Sequence, residues 1–109
     1  MNSSKQKFIC QWSLEILFGK QKEALDIMKK WREEKFKSSH FKVSQARMMS
    51  GYIGKSASFI IDEYIFGSLD DFEKALADMS QPQFRPYSNA LATLVVPGSQ
   101  KWTIYQIIE

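Results

Sequence analysis

Two side chains that could do chemistry occur once each in this chain, His40 and Cys10. An imidazole can ligate a metal or haem or carry a proton, and a thiolate can act as a nucleophile. Neither has companions at a useful spacing. A metal site needs several nitrogen, sulfur or carboxylate ligands converging on one point, and a lone histidine with one distant cysteine offers no such pattern. His40 falls in or just after a polar loop, where a solvent-exposed ring is expected, and nothing around it supports haem ligation. Cys10 lies on the apolar parity of a strand-like run, so a buried, unreactive thiol is expected. The reading is therefore no metal and no cofactor.

The other polar candidates, Glu15, Arg47, Asp62, Glu63 and Tyr64, lie within segments of strand-like patterning. A charge on a face of a buried sheet is costly unless it is paired. Two readings stay open: ion pairs between strands or subunits, such as Arg47 with Glu63 or Asp62, or a polar lining for a ligand cavity. The large aromatics Trp12, Trp31, Tyr52, Tyr64 and Trp102 share the ambiguity between core or interface and the walls of a pocket for a flat ligand. Trp12 and Tyr52 are the first choices for such walls. The pocket candidates are thus Trp12, Glu15, His40, Arg47, Tyr52, Glu63 and Tyr64, and no catalytic set is defined. The run Gly51–Ser56 ends in Gly-Lys-Ser but lacks the full phosphate-loop spacing and the helix that must follow. Ser56 and Ser58 have no histidine-based partners, which argues against a hydrolase.

The elements that must position these residues follow from hydrophobic period. Phe8 to Phe18 alternates, with Phe8, Cys10, Trp12, Leu14, Ile16 and Phe18 on one parity, and predicts a first strand closed by Gly19. Residues 1–7 are polar and read as a flexible start, leaving 8–109 as a single domain. Lys20 to Phe36 switches to helical spacing at Ala24, Leu25, Met28 and Trp31, with Asp26 and Lys30 as an i,i+4 pair on the charged face. Val43 to Ile53 predicts a second strand, Gly54 to Ser58 a short turn, and Phe59 to Phe66 a third strand with large apolar groups on both parities. Ser68 can cap a second helix, with Asp71 three residues on returning the bond, and Phe72, Ala75, Leu76 and Met79 form its stripe. Gln81-Pro82 stops it. Periodicity leaves residues 83–99 undecided. Lys101 to Ile108 is β-branched and aromatic, the signature of a last strand.

The order β-α-β-β-α-β is the ferredoxin-like α+β arrangement, two helices on one face of an antiparallel sheet. The chain of 109 residues has room for one core. Its 44% apolar and 25% charged residues are ordinary for a globular domain. A net charge of +3, with acidic residues interleaved among the basic ones of the first helix, argues against nucleic-acid binding. No signal-like or membrane-spanning run is seen and one cysteine allows no internal disulfide, so a cytoplasmic, non-membrane protein is expected. The 14% aromatic content and the two-faced third strand call for a cover on the second sheet face. A sheet-to-sheet homodimer supplies it.

The passage SFIIDEYIFGSLDDFEKALADM (Ser58 to Met79) and the closing VVPGSQKWTIYQI (Val95 to Ile107) resemble the dimeric α+β barrel superfamily, which includes NIPSNAP-like proteins and antibiotic-biosynthesis-type monooxygenases. The resemblance implies ferredoxin-like subunits paired through their sheets and a cavity between sheet and helices in each. Members range from cofactor-free oxygenases and isomerases to haem-binding proteins, so it locates a site without assigning a reaction. Two functions lead, with haem or metal binding through His40 a distant third. One is a homodimer binding a small apolar or aromatic ligand, with cofactor-free monooxygenase- or isomerase-like activity. The other is a non-enzymatic dimerisation module without a small-molecule site.

Overall fold

The computed structural model describes residues 7–42 and 45–108. They form a four-stranded antiparallel sheet with helices on one face. In chain order the elements are β1 (Lys7–Glu15), α1 (Gln21–Ser38), β2 (Ala46–Ser50), β3 (Phe59–Phe66), α2 (Leu69–Asp78), α3 (Arg85–Ala92) and β4 (Lys101–Ile107). Across the sheet the strands run β2-β3-β1-β4. The ferredoxin-like expectation holds.

Strand register fixes which side chains share a row. On the helix-facing side, Met48, Asp62, Trp12 and Trp102 are successive partners across all four strands, and Ala46, Tyr64, Cys10 and Ile104 form the next row. On the opposite side Arg47, Glu63, Gln11 and Thr103 make one row, flanked by Met49, Ile61, Ser13 and Lys101. The helix-facing parity of β1 and β3 is buried from Cys10 to Leu14 and from Ile60 to Phe66, whereas Phe59, Ile61 and Ile65 on the other face are only half-buried.

Two apolar clusters fill the space beneath the helices. Trp12, Leu14, Ile16, Met28, Trp31 and Leu91 belong to one, which packs α1 and α3 on the sheet. Cys10, Phe41, Tyr64, Phe66, Phe72 and Ala75 belong to the other, which packs α2 and the α1–β2 loop. Met79 and Trp102 touch both. Burial pushes the Cys10 thiol up to about 11, keeping it protonated and inert.

Several sequence expectations need correction. The expected two helices become three, because a 3₁₀ turn (Pro82–Phe84) leads into the undecided residues 83–99, which contain α3. Pro82 and Pro86 lie in first turns, where the missing N–H is not needed, so each opens a new helical segment, and α2 ends at Asp78, ahead of Gln81-Pro82. Val95 then extends and bridges Ile16. β1 ends at Glu15 rather than Phe18, which is fully exposed. β2 ends at Ser50, short of Ile53, and Gly51 to Ser58 make the connection, longer than Gly54 to Ser58. The expected strand start at Val43 and most of the expected flexible start (residues 1–6) lie outside the described residues, while Lys7 already pairs with Ile107. Asp26 pairs with Lys22 at 3.4 Å rather than with Lys30. Ser68 Oγ accepts the Asp71 backbone N–H at 3.1 Å, as the cap requires.

Two glycines shape the connections at one end of the sheet. Gly19 takes φ 81 as the chain turns into α1. Gly51 is needed for space: a Cβ there would overlap the Ser56 carbonyl oxygen and lie 2.7 Å from that of Lys55. Gly19→Ala should cost about 1–2 kcal/mol in urea unfolding, and Gly51→Ala more, because backbone must move. Ser68→Ala should cost about 1 kcal/mol.

Candidate functional site

Asp62 sits mid-strand on the helix-facing side of β3 and is completely buried. An isolated carboxylate there would be strongly unfavourable. α1 answers it with two cations three residues apart, a spacing that puts both on one side of the helix. Arg32 Nε donates to Asp62 Oδ1 at 3.1 Å, and Lys35 Nζ to Oδ2 at 3.4 Å. Tyr64, two residues along β3 and therefore on the same face, donates its hydroxyl proton to Oδ2 at 2.5 Å and accepts from Lys35 at 3.2 Å.

Lys35 is the unusual member. It continues the buried stripe Ala24, Met28 and Trp31 of α1, a place that helical period reserves for an apolar side chain, and is only 2% exposed. Its ammonium lies 4.6 Å from the Trp31 ring centre, 5.1 Å from Trp12 and 5.3 Å from Phe41. These π faces replace part of its hydration. Burial pulls the Lys35 pKa below its ordinary value, with the Asp62 charge and hydrogen bond acting in the opposite direction. Burial first, and then Asp62, raises the Tyr64 hydroxyl far above its ordinary value, so it remains a proton donor. Two cations face one carboxylate, leaving the cluster one positive charge in excess.

A cavity of about 220 Å³ opens between sheet and helices beside this cluster. Trp12, Trp31 and Trp102, which are all the tryptophans of the chain, line it together with Lys35, Phe41 and Met79. Trp12 meets Trp31 edge-on at 5.5 Å and stacks beside Trp102 at 6.3 Å. The Trp31 Nε1–H is buried and finds no acceptor among the described residues.

The candidates named from sequence are dispersed. Trp12 lines the cavity, and Tyr64 anchors the cluster beside it. Arg47 and Glu63 lie on the opposite sheet face, paired at 2.6 Å, with Gln11 completing the carboxylate's bonds at 2.9 Å. Glu15 falls on that face too, at the end of β1. Tyr52 is 92% exposed in the β2–β3 connection. His40 lies in the α1–β2 loop, where its ring Nδ1 and backbone N–H meet Asp78 Oδ2 at 2.6 and 2.8 Å, beside a different depression lined by Lys7, Lys42 and Asp71. Burial raises the Asp78 carboxyl, but hydrogen bonds from the His40 ring and backbone and the ring's charge outweigh this and hold it below its ordinary value. The pair staples α2 to the loop that delivers Phe41 to the core. No group of three metal-ligating side chains occurs among the described residues. Neither Arg32 nor Lys35 is singled out by sequence reasoning, because the charges of α1 read as a solvated face, and Trp31 counts among the large aromatics without being chosen as a wall. The signal was present: Lys35 is a charged residue in phase with the apolar stripe.

Asp62→Asn should cost about 3–5 kcal/mol in urea unfolding, since the buried Lys35 ammonium and the partly exposed Arg32 guanidinium lose their carboxylate, and Lys35→Met combined with it should recover most of the loss. Because the folded-state pKa of Lys35 is lowered, the folded protein holds fewer protons than the unfolded chain between that pKa and about 10.4. The stability of the wild type relative to Lys35→Met should therefore rise as the pH climbs above that folded-state pKa and level off near pH ~10.

The sequence matches no protein-family model and no curated protein. Solved structures share its fold. A NIPSNAP family protein from Agrobacterium tumefaciens superposes with a TM-score of 0.77 at 16% identity, covering 94% of this chain and 87% of the other. An uncharacterized NIPSNAP-like domain protein from Burkholderia xenovorans gives 0.71 at 9% identity over 94% and 84%. SnoaB from Streptomyces nogalater, a cofactor-independent oxygenase, gives 0.67 at 14% identity over 96% and 95%. The resemblance carried by Ser58 to Met79 and Val95 to Ile107 is borne out as a fold: the chain has the ferredoxin-like architecture of NIPSNAP and antibiotic-biosynthesis-monooxygenase-like proteins.

Proposed function

We propose that this protein is a homodimer whose subunits each bind a small, flat, apolar or aromatic molecule between sheet and helices, with chemistry of the cofactor-free monooxygenase or isomerase type. The cavity carries this reading: three tryptophans and one buried ammonium around about 220 Å³. Small-molecule pockets are commonly about 300–1,000 Å³, yet an apolar cavity of about 150 Å³ holds a benzene ring. The size thus suits one ring or two fused rings. The likeness in fold to SnoaB supports the oxygenase part of the proposal. Within this chain, Lys35 is the charged group on the cavity wall, and Tyr64 accepts a hydrogen bond from it beside the cavity.

The dimer rests on the uncovered sheet face. Phe59, Ile61, Ile65 and Met49 stand there half-buried around the Arg47–Glu63–Gln11 row, an apolar surface with its charges already satisfied. Such a face suits a second sheet packed about 10 Å away. A cytoplasmic location accords with the single buried thiol, and none of the described helices is long and apolar enough to cross a membrane.

The second reading, an association module without a small-molecule site, is favoured by the pairing of Asp62 and Glu63 within the chain, which makes both useful to folding alone. Titration with naphthol and naphthoquinone, followed by tryptophan fluorescence, separates the two. Saturable quenching with micromolar affinity is expected, and its loss in Ser88→Trp, where an exposed α3 residue at the cavity rim is enlarged. Absence of saturable binding, or unchanged binding in Ser88→Trp, favours the module. Sedimentation should give a dimer at micromolar concentration and a monomer for Ile61→Arg; a wild-type monomer overturns the dimer.

A further inference from the structure

The cavity wall has more hydrogen-bond donors and more positive charge than the chain itself uses. An ammonium has three N–H donors, and Lys35 directs bonds to Asp62 Oδ2 and Tyr64 Oη, leaving one donor with aromatic faces but no oxygen or nitrogen acceptor among the described residues. Trp31, 7% exposed, adds an indole N–H without an acceptor there. Both residues line the same cavity, and the Lys35 Nζ lies 4.6 Å from the Trp31 ring centre. Buried donors without acceptors are uncommon in folded proteins, because each forfeits its hydration without a replacement. Asp62 cannot serve them further: it already receives Arg32, Lys35 and Tyr64.

Charge points the same way. Arg32 and Lys35 together exceed Asp62 by one positive charge; of the three only Lys35 lines the cavity, and no carboxylate lines it among the described residues. The remaining wall is apolar or aromatic apart from Ser88 and Gln100. A neutral hydrocarbon ring would fill the volume but leave the excess charge and both donors unanswered. A planar ring bearing an anionic oxygen would meet all three conditions, its body against Trp12 and Trp102 and its oxygen towards Lys35 and Trp31.

We infer that the molecule bound in this cavity is a small aryl anion, one or two rings carrying a carboxylate or phenolate oxygen, with Lys35 Nζ and Trp31 Nε1 as its donors. This rests on the cavity being a ligand site, and goes further by assigning the ligand's charge and the residues that read it. Arginine could not simply replace Lys35 in a structural role, since the ammonium sits among four rings within 5.4 Å, yet it would keep the charge at the wall.

The test compares naphthoate with naphthamide, which has the same ring body and no charge, using calorimetry on the full chain. Naphthoate should bind about tenfold more tightly or better, the worth of a charge-assisted hydrogen bond. Lys35→Met should erase the preference while retaining naphthamide binding, Lys35→Arg should keep part of it, and Trp31→Phe should weaken naphthoate several-fold more than naphthamide. A hydroxynaphthalene titrated across its own ionisation distinguishes phenolate from carboxylate as the source of the oxygen, and tighter binding of either anion supports the assignment. Equal affinities for naphthoate and naphthamide in the wild type overturn the anion assignment and leave the cavity reading standing. Failure of both compounds to bind overturns the cavity reading itself. Circular dichroism of each variant identifies any that do not fold, and Trp31→Phe, which deletes only the N–H-bearing ring, then decides alone.

Discussion

A carboxylate in the middle of a buried strand governs much of this molecule. Asp62 has no solvent, so its charge must be met from elements the sheet can reach. α1 meets it, and in doing so must lie with Arg32 and Lys35 above β3. The helix is thereby held in rotation and in position along its axis, which the apolar stripe Ala24, Met28 and Trp31 alone would fix less sharply. Tyr64 ties the same carboxylate to its own strand, and the Phe41 ring packs on Tyr64 at 4.4 Å. Two elements, α1 and β3, therefore converge on one pair of oxygens, and the α1–β2 loop packs on them through Phe41.

That convergence also explains where the cavity is. The two apolar clusters meet at Met79 and Trp102, which touch both, and these two residues line the cavity together with Lys35. Large indoles bridge this junction from both sides, but rigid rings leave space between them that smaller flexible side chains would fill. The space and the ammonium beside it are consequences of one placement. Stability and a potential binding function are thus coupled: what makes the wall polar also orients the helix that forms it.

The opposite sheet face solves the same electrostatic problem differently. Glu63 is almost as buried as Asp62, yet its partners Arg47 and Gln11 come from neighbouring strands rather than from a helix. An ion pair within the sheet plane leaves the face flat and available to a second apolar layer. Adjacent residues of one strand, Asp62 and Glu63, thus carry charges that serve two different layers, because successive side chains point to opposite sides.

Hydrophobic period by itself determined the strand and helix order, the helix-facing parity of β1 and β3, the Ser68 cap and the burial of Cys10, since each depends on residues close together in the chain. The Arg47–Glu63 pair was also legible, as opposite charges on the two strands of a hairpin. Residues 83–99 were not, because proline marks a boundary without saying on which side of it the helix lies, and α3 exists through its packing on α1. Nor was the cavity wall. Trp12 and Tyr64 could be named as aromatics on strands, but Tyr52, His40 and Glu15 carried equal weight in the sequence and lie elsewhere. Only the tertiary structure brings Lys35 to Asp62, 27 residues apart, and sets Trp31, Trp12 and Trp102 around one space. The physical reason is that a buried charge selects its partner by distance in the folded molecule, and sequence spacing encodes that distance only within a single helix or hairpin.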